Sequence, residues 1–239
     1  MHPLMLFHAF PLDSRMWDGV RAELSAHVHL ITPDQRGFGR APLGSAEPSL
    51  EVVAADMVAL LDTLGIERAV VGGCSMGGYV AMAMLRAAPE RVAGLLLVDT
   101  KAPADTPEAR TNRLAVADRA EREGIAPWLA DTMLPNLLAD QSAAGLVRGW
   151  MEEQPGESVA WAQRAMAARP DSVETLRALD LNALVVHGEA DGLMPAALGE
   201  QLAELTAGEL VVLPGVGHLP PIESPKAFTA AVLPWLTAR

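Results

Sequence analysis

Six short, largely apolar runs recur along the chain, and the gaps between them mostly carry the spacing of a helix. The runs are Leu4 to His8, Val28 to Asp34, Arg68 to Gly73, Val92 to Asp99, Ala183 to Gly188 and Gly208 to Gly215. Residues 13–26 read as an amphipathic helix. Residues 49–65 set Leu50, Val53, Met57, Leu60, Leu61 and Leu64 on one face, with Ser49 as N-cap and Gly65 as the stop. Residues 76–88 form a helical segment ended by Pro89, and residues 225–238 a closing helix. A strand that is apolar throughout needs cover on both faces, and strands joined by helices run parallel. The expected class is therefore α/β, a mainly parallel sheet of about six strands with helices on both sides.

One stretch departs from this alternation. From 104 to 169 there are helical patterns and no convincing strand, and the stretch holds Trp128, Trp150 and Trp161, three of the five tryptophans. It reads as a helical cap inserted between two strands of a core made of residues 1–103 and 170–239. With half of its 239 residues hydrophobic, the chain has material for a sizeable core. The single cysteine, Cys74, excludes an intrachain disulfide and fits a reducing compartment. A formal charge of -12 with no basic stripe argues against nucleic acid. No apolar run approaches the ~20 residues that span a bilayer, and the N-terminus lacks the cationic start of a signal peptide. A soluble, cytoplasmic protein is expected, monomeric or a small homo-oligomer, with no membrane partner.

The most informative local feature is Gly73-Cys74-Ser75-Met76-Gly77, at the junction of the third run and the helix after it. In a parallel sheet, ligands bind beyond the carboxyl ends of the strands. Glycines on either side let a sharp strand-to-helix turn hold a serine in a strained backbone, with its hydroxyl projecting at a helix N-terminus. A phosphate loop would want a Gly-Lys-Ser/Thr string, and no lysine is near. Cys74 lies out of frame with the glycine pair and reads as a buried, inert thiol.

A serine nucleophile needs a base and an orienting acid. Of six histidines, His8 and His187 end strands, while His218 follows the last strand in a Gly- and Pro-rich loop able to reach across the sheet top. His218 is the expected base. The turn after the preceding strand offers Glu189 and Asp191, of which Asp191 is the better placed, beyond Gly188. The oxyanion donors expected are the backbone N–H groups of Met76 and, from the loop after the first strand, of Phe10.

Together these stretches resemble the α/β-hydrolase superfamily over nearly the whole chain. His8 to Trp17 is similar to its oxyanion loop, Asp34 to Ala41 to its Asp-x-Arg-Gly turn, Gly73 to Gly78 to the nucleophile elbow, His187 to Pro195 to the acid turn, and Gly215 to Pro225 to the histidine loop. The resemblance implies a Ser-His-Asp hydrolase with a helical cap. Within the superfamily the chain looks most like small carboxylesterases, 3-oxoadipate enol-lactonases and cofactor-free haloperoxidases, so neither cofactor nor metal is expected. Ala9 stands where the oxyanion loop usually has glycine, and Ala41 where the turn often has serine. The chain reaches the oxyanion strand almost at once, which implies a shortened sheet with all six strands parallel. Some relatives carry the acid after the earlier strand that ends in Asp99, so Asp99 is the rival of Asp191. Arg36 is expected to be a structural donor.

The expected substrate is a small-molecule ester with a small to medium neutral acyl group, held against Phe10, Met76, Trp128, Met133 and Leu219 and cleaved through an acyl-enzyme. Hydrolysis of an enol-lactone, or a related lyase reaction on a carboxylate substrate, is the alternative. It requires a cation facing the pocket, and the cap supplies Arg110, Arg113, Arg119, Arg122, Arg148 and Arg164 as candidates. A non-catalytic ligand binder is the third reading, and its triad would normally be eroded.

Overall fold

The computed structural model describes residues 2–178 and 180–238. Its centre is a six-stranded sheet, β1 Leu4–Phe7, β2 Leu30–Ile31, β3 Ala69–Cys74, β4 Val92–Val98, β5 Ala183–Gly188 and β6 Glu209–Leu213. The spatial order is β2-β1-β3-β4-β5-β6, and every neighbouring pair is parallel. The four inner strands carry almost nothing but apolar residues because helices cover both faces. All residues of β1, β3 and β5 are buried, as are all but one of β4.

The two edges differ from the sequence reading. Of the run from Val28 to Asp34, only Leu30 and Ile31 pair, with Leu4 and Met5. At the other edge, β6 is half exposed where a buried strand was expected. An edge strand has one neighbour and less cover, so the apolar pattern overstates its burial.

The core helices are α1 Asp18–Ser25, α2 Leu50–Thr63 and α3 Met76–Ala87. Ser49 caps α2 by accepting the N–H of Glu51 at 3.1 Å. Between β4 and β5, ahead of one further short helix, come α4 Pro107–Glu123, α5 Trp128–Leu137, α6 Ala144–Glu152 and α7 Gly156–Ala168. Thr106 caps α4 through the N–H of Ala109. The chain closes with α8 Val173–Arg177, α9 Ala196–Thr206, α10 Pro220–Glu223 and α11 Pro225–Thr237. No helix among the described residues is long and apolar enough to cross a membrane.

Candidate active site

At the carboxyl end of β3 the chain turns sharply, and Ser75 takes φ 55° and ψ -112°, a region L-residues rarely occupy. The turn is held by its own backbone and by its neighbour strand. The N–H of Ser75 donates to the carbonyl of Val98 at 2.9 Å, and Thr100 Oγ1 donates to the carbonyl of Ser75 at 2.8 Å. Glycine is required at two positions. A Cβ on Gly73 would strike the backbone of Gly77, and a Cβ on Gly77 would strike the carbonyl of Phe7. Their absence lets α3 start directly above β1 and β3, with Ser75 exposed enough to meet a ligand.

The loop after β6 brings His218 to the same place. Its ring Nδ1 lies 2.6 Å from Asp191 Oδ2. A carboxylate only accepts, so Nδ1 carries the proton. The other oxygen of Asp191 accepts the N–H groups of Leu193 and Met194 at 2.7 and 2.9 Å, which fixes the carboxylate's orientation. Burial would raise the pKa of Asp191, but the His218 bond and these N–H donors hold it below the usual range. Ser75 and His218 line one cavity of about 490 Å³. Their side chains are not hydrogen-bonded to each other here, and such bonds are often long without substrate.

Asp99 follows β4 with φ 42° and is fully buried. Its Oδ1 accepts the N–H of Gly188 at 2.8 Å, while Oδ2 has no hydrogen-bond partner. Burial first, and then the negative charge of Asp191, push its pKa well up, so of the two carboxyls Asp99 favours the proton and Asp191 the charge. Sequence reasoning treated the two aspartates as rivals; the fold makes them neighbours, with Asp191 on the imidazole. Asp99, Asp191 and His218 offer ligand atoms within 4.8 Å of one another, as a metal site would. A metal would have to break the 2.6 Å ring–carboxylate bond.

The N–H groups of Met76 and Phe10 make no hydrogen bond to the described chain. Phe10 also lines the cavity, as do Trp128 and Met133. Met76 and Leu219, expected in the wall, are instead buried in the core and absent from the lining. Leu219 is turned inward where its N–H reaches Glu223 Oε1 at 3.2 Å.

Several readings concerned residues that do not reach the cavity. Cys74 is buried, its thiol donating to the carbonyl of His218 at 3.4 Å. Burial and nearby carboxylates push its pKa well up. His8 accepts the N–H of Gln35 at Nε2 and turns Nδ1 to the carbonyl of Ala9, a scaffold role. His187 donates from Nε2 to the carbonyl of Met194. Arg36 grips Asp56 with two bonds and the carbonyl of Leu43 with a third.

The cap arginines separate sharply. Arg119 pairs with Glu123, Arg148 with Asp131 and Glu152, and Arg164 with Asp118 and Glu121. Arg122 lies by Glu123, and Arg110 is exposed. Arg113 lines the cavity, together with Lys101 from the loop after β4 and Asp105 from the entry to the cap. The expectation of a neutral acyl group assumed a wall without cations, and this wall has two. Lys101 was legible from its place just past β4; Asp105 had no sequence signal.

The comparisons with known proteins agree with this fold. The chain is 40% identical to a thermophilic esterase of Thermogutta terrifontis with malate bound, with a TM-score of 0.95, covering all of this chain and 90% of that one. It is 29% identical over 248 residues to the pimeloyl-[acyl-carrier protein] methyl ester esterase of Pectobacterium carotovorum subsp. carotovorum (strain PC1), covering 98% of this chain and 94% of the relative. It is 28% identical over 237 residues to the dihydrolipoyllysine-residue acetyltransferase component of the acetoin cleaving system of Pseudomonas putida, of which it spans 63%. The model of the alpha/beta hydrolase family matches residues 4–232. With the elbow, the sheet order and this match in agreement, the chain belongs to the alpha/beta hydrolase family.

Proposed function

We propose that the protein is a carboxylic ester hydrolase that works through Ser75, His218 and Asp191 and an acyl-enzyme. His218 takes the hydroxyl proton as Ser75 Oγ bonds to the ester carbonyl carbon. The oxyanion that forms is met by the N–H groups of Phe10 and Met76. Asp191 stabilises the imidazolium, which then gives its proton to the departing alcohol. Water, activated by the same ring, releases the acid and restores the serine. Residues 104–169 act as the cap that closes the acyl site, with 1–103 and 170–239 as the core. Trp128 and Met133 supply apolar wall, which suits short to medium acyl chains.

The observation that carries this reading is the 2.6 Å His218–Asp191 bond on the cavity that Ser75 opens into. The esterases among its relatives support the same reaction class. Ser75→Ala should abolish labelling by a fluorophosphonate and lower kcat on a short ester by roughly 10⁴ to 10⁶. Cys74→Ala should keep the label. Undiminished labelling of the alanine variant overturns the reading. Hydrolysis of an enol-lactone is the second reading, favoured by Arg113 and Lys101 in the wall.

A further inference from the structure

Asp105 is the hub of an unusually unequal ion cluster. Its side chain is 1% exposed. Lys101 Nζ lies 3.0 Å from Oδ1, while Arg113 Nε at 2.5 Å and Arg169 Nη1 at 3.0 Å share Oδ2. Three cations therefore meet one carboxylate, leaving a surplus of two positive charges inside a protein whose formal charge is -12. Asp171, the other carboxylate at this corner, is exposed, bonded to the N–H of Ala104, and outside the cavity lining.

The three cations are not equivalent. Arg169 is 3% exposed and fully engaged, bonded to the carbonyls of Met166 and Pro103 and stacked 4.0 Å over Tyr79. Its work is structural. Arg113 uses Nε on Asp105 and Nη1 on Gln163 and the Met166 sulfur, and Nη2 makes no hydrogen bond. Lys101 has three protons and this one carboxylate contact. Arg113 and Lys101 line the cavity with Ser75, whereas Arg169 does not. Lys101 and Arg113 are about one-fifth exposed and keep donors free at the cavity wall, and a desolvated anion is costly unless cations meet it, so the two groups suit each other.

We propose that Lys101 and Arg113 form a carboxylate subsite inside the acyl cavity, and that the preferred substrates are half-esters of short dicarboxylic acids. This rests on the ester-hydrolase reading. The ester carbonyl sits at Ser75, the methylene chain runs along the apolar wall, and the free carboxylate replaces its hydration with Lys101 and Arg113. The competing explanation is purely architectural. Asp105 precedes α4 and Arg169 follows α7, so the cluster also ties both ends of the cap together.

The test is kcat/KM for monomethyl succinate, glutarate and adipate, each against the neutral methyl ester of equal acyl length, in the native protein and in Lys101→Gln and Arg113→Gln. The native protein should favour the best half-ester by about tenfold or more, and each variant should cut that charged-to-neutral ratio about tenfold or more, chiefly through KM. A native ratio below one, or variants in which both esters decline together, overturns the proposal and leaves the cluster as a cap tie. Calorimetric binding of the same pairs to Ser75→Ala separates the two levels. A half-ester that binds no tighter than its neutral partner defeats the subsite. Tighter half-ester binding without turnover by the native protein supports the subsite and defeats the hydrolase reading instead.

Discussion

Ser75 and Asp99 both hold positive φ, each one residue past the end of the neighbouring strands β3 and β4. Such backbones persist where the surroundings over-determine them, and these two are pinned by Val98, Thr100 and Gly188. The pair Asp99–Asp191 then divides its labour by environment. Burial and the charge of Asp191 raise the pKa of Asp99, while the His218 bond and two backbone N–H groups lower that of Asp191, so Asp99 is the one of the two that favours the proton. Asp191→Asn should therefore lower kcat by about 10⁴, since the amide cannot hold the imidazole in its tautomer or support its charge. Asp99→Asn should stay within about tenfold of the native rate, because asparagine keeps the acceptor for Gly188, resembles the protonated acid and tolerates positive φ. Kinetics on the two variants decide the assignment, and the reverse pattern would exchange their roles.

At the scale of elements, the site is made by helix α3 approaching β1 and β3 closely enough to bring its N-cap, Ser75, to the cavity. Gly77 permits that approach. Gly77→Ala should destabilise the fold by about 3 kcal/mol or more, because the new methyl meets a strand carbonyl with no flexible side chain to move aside. Denaturant midpoints measure it, and a loss under about 1 kcal/mol would mean that α3 can lift without consequence. The cap is tied to the histidine loop as well as to the core. The N–H of His218 donates to the carbonyl of Leu137 at the end of α5. Glu223 accepts the N–H groups of Ala139 and Leu219. The loop that carries His218 is thus held in part by the helices inserted between β4 and β5.

Over the whole molecule, charge couples stability to pH. The positive charges of Arg113, Arg169 and Lys101 outweigh burial and lower Asp105 to about 2. Asp13, Asp34 and Asp191 are also lowered. For each, the unfolded chain binds its proton at higher pH than the folded one, so the contribution is whole above the ordinary carboxylate range and lost as pH falls through the folded value. Burial lowers the pKa of His8, so the unfolded state also takes up that proton first below about 6.5, again favouring unfolding in acid. Asp99 works the other way, since its raised pKa favours the folded state in acid. The lowered groups outnumber it, and stability should decline as pH falls from about 6.5 to 3. Asp105→Asn should cost about 3 kcal/mol at pH 7, by leaving buried cations short of a partner, and should flatten the acid limb. Denaturant unfolding of both proteins at pH 7 and pH 3 checks this, and parallel curves would show that Asp105 carries no such charge.

The apolar runs and the glycine-framed turn at Ser75 were legible in the sequence because each is local. A buried strand, a tight turn and a helix stop are all decided within about ten residues. That locality also explains the misreadings at the sheet edges, where burial depends on a neighbour that is missing. What only the tertiary structure decided is which way side chains face between distant segments. Six arginines of the insertion share similar helical settings, and the packing of α4 against α7 leaves Arg113, not Arg119 or Arg164, lining the cavity. Leu219 and Met76, expected in the wall, neighbour His218 and Ser75 in sequence, yet both are buried in the core. Asp105 lies in a loop and has no periodicity to announce it. It matters because Lys101, Arg113 and Arg169 arrive from three separate segments, and a meeting of that kind exists only once the chain has folded.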